Sequence, residues 1–146
     1  MKIGIYAGSF NPFHKGHYNI LLKAEEIFDK VIIARGVNPE KSASTYKLPE
    51  LLKKREIIEY DGLLTECIID IKKKYNYTLK PTLIRGLRNS NDLQYEMTQY
   101  RYLQDLMPDI QLISIFCDKE YEHISSSGIR LLSKYGDDKV KNYLLE

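Results

Sequence analysis

Gly8-Ser-Phe-Asn-Pro-Phe-His-Lys-Gly-His17 follows directly on the apolar run Ile3-Gly-Ile-Tyr-Ala7 and leads into residues 18–28, which are patterned as an amphipathic helix. The apolar run reads as a buried strand and the ten residues as a turn containing Gly and Pro. A helix therefore starts at an imidazole. Helix N-termini present unpaired N–H groups and the positive end of the peptide dipoles, which suits an anion. The chain holds three histidines, and two of them, His14 and His17, fall in this turn. Their clustering at a helix start makes the stretch from Gly8 to His17 a candidate site for a phosphate-rich ligand. It lacks G-x-G-x-x-G, the mark of a nicotinamide-type dinucleotide site, and it lacks the P-loop pattern G-x-x-x-x-G-K-[ST].

Outward from this stretch, strands and helices alternate. Short apolar segments rich in Ile, Leu or Val predict strands at 2–7, 31–35, 56–60, 82–85 and 110–116, all read as buried on both faces. Helices are predicted at 16–28, 63–75, 92–106, 126–135 and 137–145, with a shorter one at 48–54. The fold class that follows is α/β: a single-domain, Rossmann-like, parallel five-stranded sheet with helices on both faces, spanning 1–146. Such sheets bind ligands beyond the carboxyl ends of their strands.

Composition limits the alternatives. A length of 146 residues suits one core, and 43% hydrophobic with 29% charged residues is ordinary for a globular chain. A net charge of +2 is too small to argue for nucleic acid as a partner. No apolar run reaches membrane-spanning length, and no signal-peptide pattern precedes the first strand. Cys67 and Cys117 lack metal-ligand spacing and read as buried free thiols in a reducing, cytoplasmic setting. Lys72-Lys-Lys74 reads as a solvated helix end.

Three other segments can carry chemistry. Arg85 and Arg88 flank Gly86 at the end of the fourth strand, and guanidinium forks match phosphate oxygens. Tyr95 and Glu96 lie near the start of the next helix, where burial and solvation explain them as well as function does. Ser125, Ser126 and Ser127 precede a helix; one serine suffices for a cap, so three suggest hydroxyl and N–H donors to phosphate. His123 reads as structural. Lys41, in the loop after the second strand, has no chemical case of its own.

Three blocks carry a family resemblance: Tyr6-Ala-Gly-Ser-Phe-Asn-Pro-Phe-His-Lys-Gly-His17; Leu83-Ile-Arg-Gly-Leu-Arg88 with Asp92 and Tyr95-Glu96-Met97; and Ile124-Ser-Ser-Ser127. Together they resemble the phosphopantetheine adenylyltransferases of the nucleotidyltransferase superfamily, across nearly the whole chain. The first and third blocks are shared with the nicotinamide- and nicotinate-mononucleotide adenylyltransferases; the middle block points to phosphopantetheine. The resemblance implies the nucleotidyltransferase fold and transfer of the adenylyl group of ATP to 4′-phosphopantetheine, giving dephospho-coenzyme A and pyrophosphate. It implies His17, Lys41 and Arg88 as catalytic residues. ATP would meet Gly8, Ser9, Phe10, His14, His17, Gly86, Leu87, Arg88, Glu96, Tyr121, Ile124, Ser125, Ser126 and Ser127. Ser9, Lys41, Leu64, Arg85 and Tyr95 would hold the acceptor. Mg²⁺ would travel with ATP rather than in a protein site, and the assembly would be a homo-oligomer, a hexamer. Between Tyr46 and Thr82 the chain departs from the family: the helix before the third strand is shortened and the following one looks extended. That departure leaves open another phosphorylated acceptor, such as nicotinamide or nicotinate mononucleotide. A non-catalytic nucleotide-binding module is the rival of another class.

Overall fold

Five parallel strands order themselves β3-β2-β1-β4-β5. They are β1 (Ile3–Gly8), β2 (Lys30–Gly36), β3 (Ile57–Tyr60), β4 (Thr82–Leu87) and β5 (Gln111–Phe116). The helices are α1 (Lys15–Ile27), α2 (Leu64–Lys74), α3 (Ser90–Leu106) and α4 (Ser126–Ser133). The computed structural model describes residues 1–38, 45–75 and 80–146. β1 lies at the centre, paired to β2 with Gly8 opposite Arg35 and to β4 with Tyr6 opposite Ile84. The strand order reverses across β1, which opens a crevice between the ends of β1 and β4, the usual ligand position in this architecture.

The period-two alternation of strand side chains sorts the core into two layers. Ile3, Ile5, Ala7, Ile32, Ala34 and Leu83 pack with Cys67, Ile68 and Ile71 of α2, joined by Tyr100 and Leu103 of α3. Tyr6, Val31, Ile33 and Ile84 pack on the opposite face with Ile20, Leu21 and Ala24 of α1 and with Leu52. Helices thus cover both faces, as the strand pattern predicts. Burial on both faces holds for the inner strands only. β3 and β5 are edges, and their residues are half-buried or exposed.

Two predicted helices fail to form as such. Residues 48–54 contribute one 3-10 turn, Glu50–Leu52, preceded by Pro49. The chain must turn there into β3: the Arg55 N–H donates to the Leu52 carbonyl, and the Arg55 guanidinium forks onto Glu25 of α1. Residues 137–145 form two 3-10 turns, Asp137–Lys139 and Lys141–Tyr143. Gly136 at φ 129° separates them from α4, a conformation that favours glycine. Beyond them Leu144 is extended and forms an antiparallel bridge with His14, which a continuous helix would forbid. In the lysine run, Lys73 and Lys74 are exposed, and Lys74 pairs with Glu56 at the surface. Among the described residues, no helix is long and apolar enough to cross a membrane.

Leu52 is 0% exposed although it belongs to a three-residue turn. It plugs the α1 face where the predicted helix is missing. Leu52→Ala is expected to cost about 2–5 kcal/mol, as for other buried leucines. Denaturant unfolding should show this as a lower midpoint with an unchanged slope.

Candidate active site

The turn after β1 is held by two histidines that cap the same helix for each other. His14 is the N-cap of α1, and its Nδ1 accepts from the Gly16 N–H at 3.0 Å and the His17 N–H at 3.4 Å. In return the His17 Nδ1 accepts from the His14 N–H at 3.1 Å. This is a capping box in which imidazoles take both side-chain roles. The rings stack at 3.7 Å with 24° between their planes. A nitrogen that accepts carries no proton, so both neutral rings carry theirs on Nε2. Burial, joined by the charge of Arg88, lowers the His14 pKa to about 4. Burial also pulls His17 well below the ordinary range, helped by His14, Arg88 and Arg85. At neutral pH each ring is an uncharged donor.

Phe10 sits at φ 46°, a left-handed conformation that is strained for a non-glycine residue. Its ring is buried between Tyr6 and Phe13 and meets the edge of His17 at 5.0 Å. The Arg35 guanidinium donates to the carbonyls of Ser9, Phe10 and Tyr46. Arg130 of α4 donates to the Asn11 carbonyl at 2.6 Å, and the Ser126 hydroxyl donates to the Pro12 carbonyl at 2.8 Å.

Across the crevice, α3 grips the two arginines of β4 and its following loop. Arg85 forks onto Glu96 with both distances 2.8 Å, and also donates to the Ala7 carbonyl of β1. Arg88 forks onto Asp92 at 2.9 and 3.0 Å and reaches the Ile124 carbonyl at 3.4 Å. Asp92 and Glu96 are four residues apart, hence on one face of α3. Asn89 caps that helix by accepting from the Asp92 N–H. Gly86 lets β4 lie against α1, since a Cβ there would stand 2.9 Å from the Ile20 side chain.

These walls enclose a cavity of about 480 Å³. It is lined by Gly8, Ser9, Phe10, His14 and His17 from the first segment, and by Arg85 to Arg88, Asp92, Tyr95 and Glu96 from the second. Ile124 to Ser127 and Arg130 close the third side.

The cytidylyltransferase-like family model matches residues 5–132. A phosphopantetheine adenylyltransferase of Streptococcus pneumoniae strain CGSP14 is 37% identical over 146 residues, covering 94% of this chain and 86% of its own. The enzyme of that name from strain Taiwan19F-14 is 36% identical over 143 residues with the same coverage. This chain belongs to the phosphopantetheine adenylyltransferase family. Its fold is shared more widely. A putative nicotinate-nucleotide adenylyltransferase from Vibrio parahaemolyticus superposes with a TM-score of 0.65 at 17% identity, over 100% of this chain and 88% of that one. A bifunctional NMN adenylyltransferase/ADP ribose pyrophosphatase from Francisella tularensis also gives 0.65, at 18% identity, over 98% of this chain and 44% of that one.

Most residues that the phosphopantetheine adenylyltransferase resemblance singles out meet in the one cavity, but not all. Leu64 packs into the α2 core layer instead of lining it. Tyr121 packs beside Ile124, Ile129 and Val140, outside the lining. Lys41 lies outside the described residues. His123 stands outside the cavity, exposed, with its ring edge-on to that of Tyr143. The serines divide their work: Ser125 caps α4 by accepting from the Gly128 N–H, Ser126 holds the first loop, and the Ser127 hydroxyl lies 3.3 Å from that of Ser125. Cys117, read as buried, is half-buried and lines the cavity. Asp92, Arg130 and Arg35 take part in the site's architecture without having been assigned roles from sequence. Asp92 carried a signal, a carboxylate four residues after Arg88 at a helix start. Arg35 carried a fainter one, a charge ending the apolar alternation Val31-x-Ile33.

The paired histidines predict a pH effect with a definite sign. An unfolded imidazole takes a proton below about pH 6.5, whereas folded His14 resists until about 4. Stability is therefore full above 6.5 and is lost as pH falls toward 4, on the order of 3 kcal/mol for such a shift. His14→Asn keeps a capping side chain but does not titrate. Urea unfolding of the two proteins from pH 7.5 to 4 should show the steeper decline in the wild type.

Proposed function

We propose that the chain transfers the adenylyl group of ATP to 4′-phosphopantetheine, yielding dephospho-coenzyme A and pyrophosphate. The observation that carries this reading is the interlocked pair of neutral imidazoles at the start of α1, in the wall of a cavity that also holds two guanidinium forks. A phosphate oxygen of the acceptor bonds to the α-phosphorus of ATP as the α–β bridging bond breaks, and pyrophosphate leaves with the electron pair. The attacking phosphate is already ionised, so the protein need supply no general base. Its work is to align two anions and to stabilise charge growing on the α-phosphate.

His17 takes the second task, donating its Nε2–H to an α-phosphate oxygen while its Nδ1 stays locked to the backbone. His14 adds a parallel donor. Gly8, Ser9 and Phe10 bring backbone close to the triphosphate; Gly86, Leu87, Arg88 and Glu96 form the facing wall; Ile124 to Ser127 close it. Arg85 takes the acceptor phosphate, with Ser9 and Tyr95 beside it. Lys41 joins Arg85 on the strength of the family resemblance. Glu96 and Asp92 absorb part of the arginine charge and fix where each fork points, leaving the remaining N–H donors to phosphate. Among the described residues, no group of three or more His, Cys, Asp or Glu is placed to hold a metal. Both carboxylates in the cavity wall are engaged by arginine. Mg²⁺, which the resemblance implies, would be carried by the ATP phosphates and would offset part of their charge.

A homo-oligomer, hexameric by the resemblance, is supported by α3. None of its residues is buried, and Leu93, Met97, Tyr102 and Leu106 are exposed apolar surface. Two free cysteines suit the cytoplasm.

The test is pyrophosphate release with each nucleotide and acceptor. ATP with phosphopantetheine should react, and CTP far less well. Reaction with nicotinamide mononucleotide but not phosphopantetheine would overturn the acceptor, and release with neither would favour a binding module. His17→Ala should lower kcat by roughly 10²–10³-fold, the scale for one transition-state donor. Arg88→Lys should not restore what Arg88→Ala loses in ATP use, because an ammonium cannot copy the fork.

A further inference from the structure

Arg35, one residue before the end of β2, shares a stripe with Val31 and Ile33 that is otherwise apolar and packed against α1. It is 3% exposed. A charge in such a place is costly unless its hydrogen bonds are filled. Among the described residues no carboxylate pairs with it. Its partners are three backbone carbonyls: Ser9 at 3.1 Å from Nε, and Phe10 at 3.1 Å and Tyr46 at 2.6 Å from Nη2. Two of these carbonyls belong to the strained turn that carries the histidines. The third belongs to Tyr46, in the stretch that leads into the 3-10 turn Glu50–Leu52. Because Gly8 and Arg35 are opposite in register, the side chain has only to cross from one strand to its neighbour to reach them.

We propose that Arg35 is a positioning residue for adenylyl transfer, a clamp that holds Phe10 left-handed and, through the Phe10 ring, keeps His17 in its donor orientation. The path is contiguous. The guanidinium fixes the carbonyls of the two peptide groups that flank the Phe10 Cα; the Phe10 ring meets the His17 ring edge-on at 5.0 Å; and the His17 Nδ1 closes the cap with the His14 N–H. Released from the guanidinium, Phe10 is free to relax to negative φ, its ring shifts, and His17 loses the bond that sets its tautomer. Glu59, opposite Arg35 in the β2–β3 register, offsets part of its charge through space without forming an ion pair. The kinetic part of this inference rests on the adenylyl-transfer reading; the structural part does not.

Arg35→Met and Arg35→Lys separate the clamp from the charge and from simple packing, with Arg55→Met as a stability control at an ion pair away from the cavity. Kinetics are scaled to the folded fraction. Arg35→Met should lower kcat on the order of 10- to 100-fold, the range for a small misplacement of a catalytic group, with a smaller change in KM. Arg35→Lys should recover part of it. Arg55→Met should lower Tm and leave kcat alone. Imidazole ¹⁵N shifts of the substrate-free protein supply the second readout: wild-type His17 shows an accepting Nδ1 and a protonated Nε2, and Arg35→Met shows mixed tautomers. If Arg35→Met does not fold, Arg35→Lys decides alone through the same two readouts. Folded variants with wild-type kcat and unchanged His17 shifts would overturn the clamp. A wild type that makes no pyrophosphate would sink the adenylyl-transfer reading instead, while the nitrogen shifts would still judge Arg35.

Discussion

The hydrogen bonds from backbone N–H groups to the Nδ1 atoms of His14 and His17 are the constraint on which the rest of the site depends. They satisfy donors that a helix start would otherwise leave unpaired. They also decide the chemistry of the rings, because a nitrogen that must accept cannot be protonated. Protonating either ring on Nδ1 would break the cap and put a charge beside two arginines. One arrangement thus starts the helix, fixes the tautomer and keeps both imidazoles neutral at the pH where ATP phosphates carry full charge.

The facing wall solves a different problem. Two guanidinium groups beside a cavity would repel each other and adopt many orientations. The carboxylates of Asp92 and Glu96, presented four residues apart by a capped helix, give each fork one direction. The site gives up some net charge and gains geometry. Alignment of two polyanions relies on placement more than on attraction, since both reactants carry the same sign.

What was legible in sequence was what depends on local pattern. Short apolar runs were enough to place the five strands, and the Gly-, Pro- and His-bearing turn after β1 was enough to place the cavity at their carboxyl ends. The serines before α4 announced a helix start. What was not legible depends on partners distant in sequence. Residues 137–145 have helical composition, yet Leu144 pairs with His14 and draws the chain out. Residues 48–54 look helical until the Arg55–Glu25 pair and the plug of Leu52 show how the turn is used. The edge status of β3 and β5 follows from strand order, which short apolar runs do not encode. Arg35 was passed over because a lone arginine at a strand end is ordinarily solvated; only the three carbonyls around it show otherwise.

The bridge between His14 and Leu144 has a consequence for biosynthesis. The turn after β1 leaves the ribosome well before residue 144, and His14 gains its bridge only when that residue has followed. The helix start can form early from local bonds, whereas the bridge from His14 to Leu144 joins residues far apart in sequence. Contacts of such sequence separation form late because the loop they close is long. The turn is therefore synthesised well before the contact that completes it, and it stays without that partner until the 3-10 turns after α4 have folded back on it.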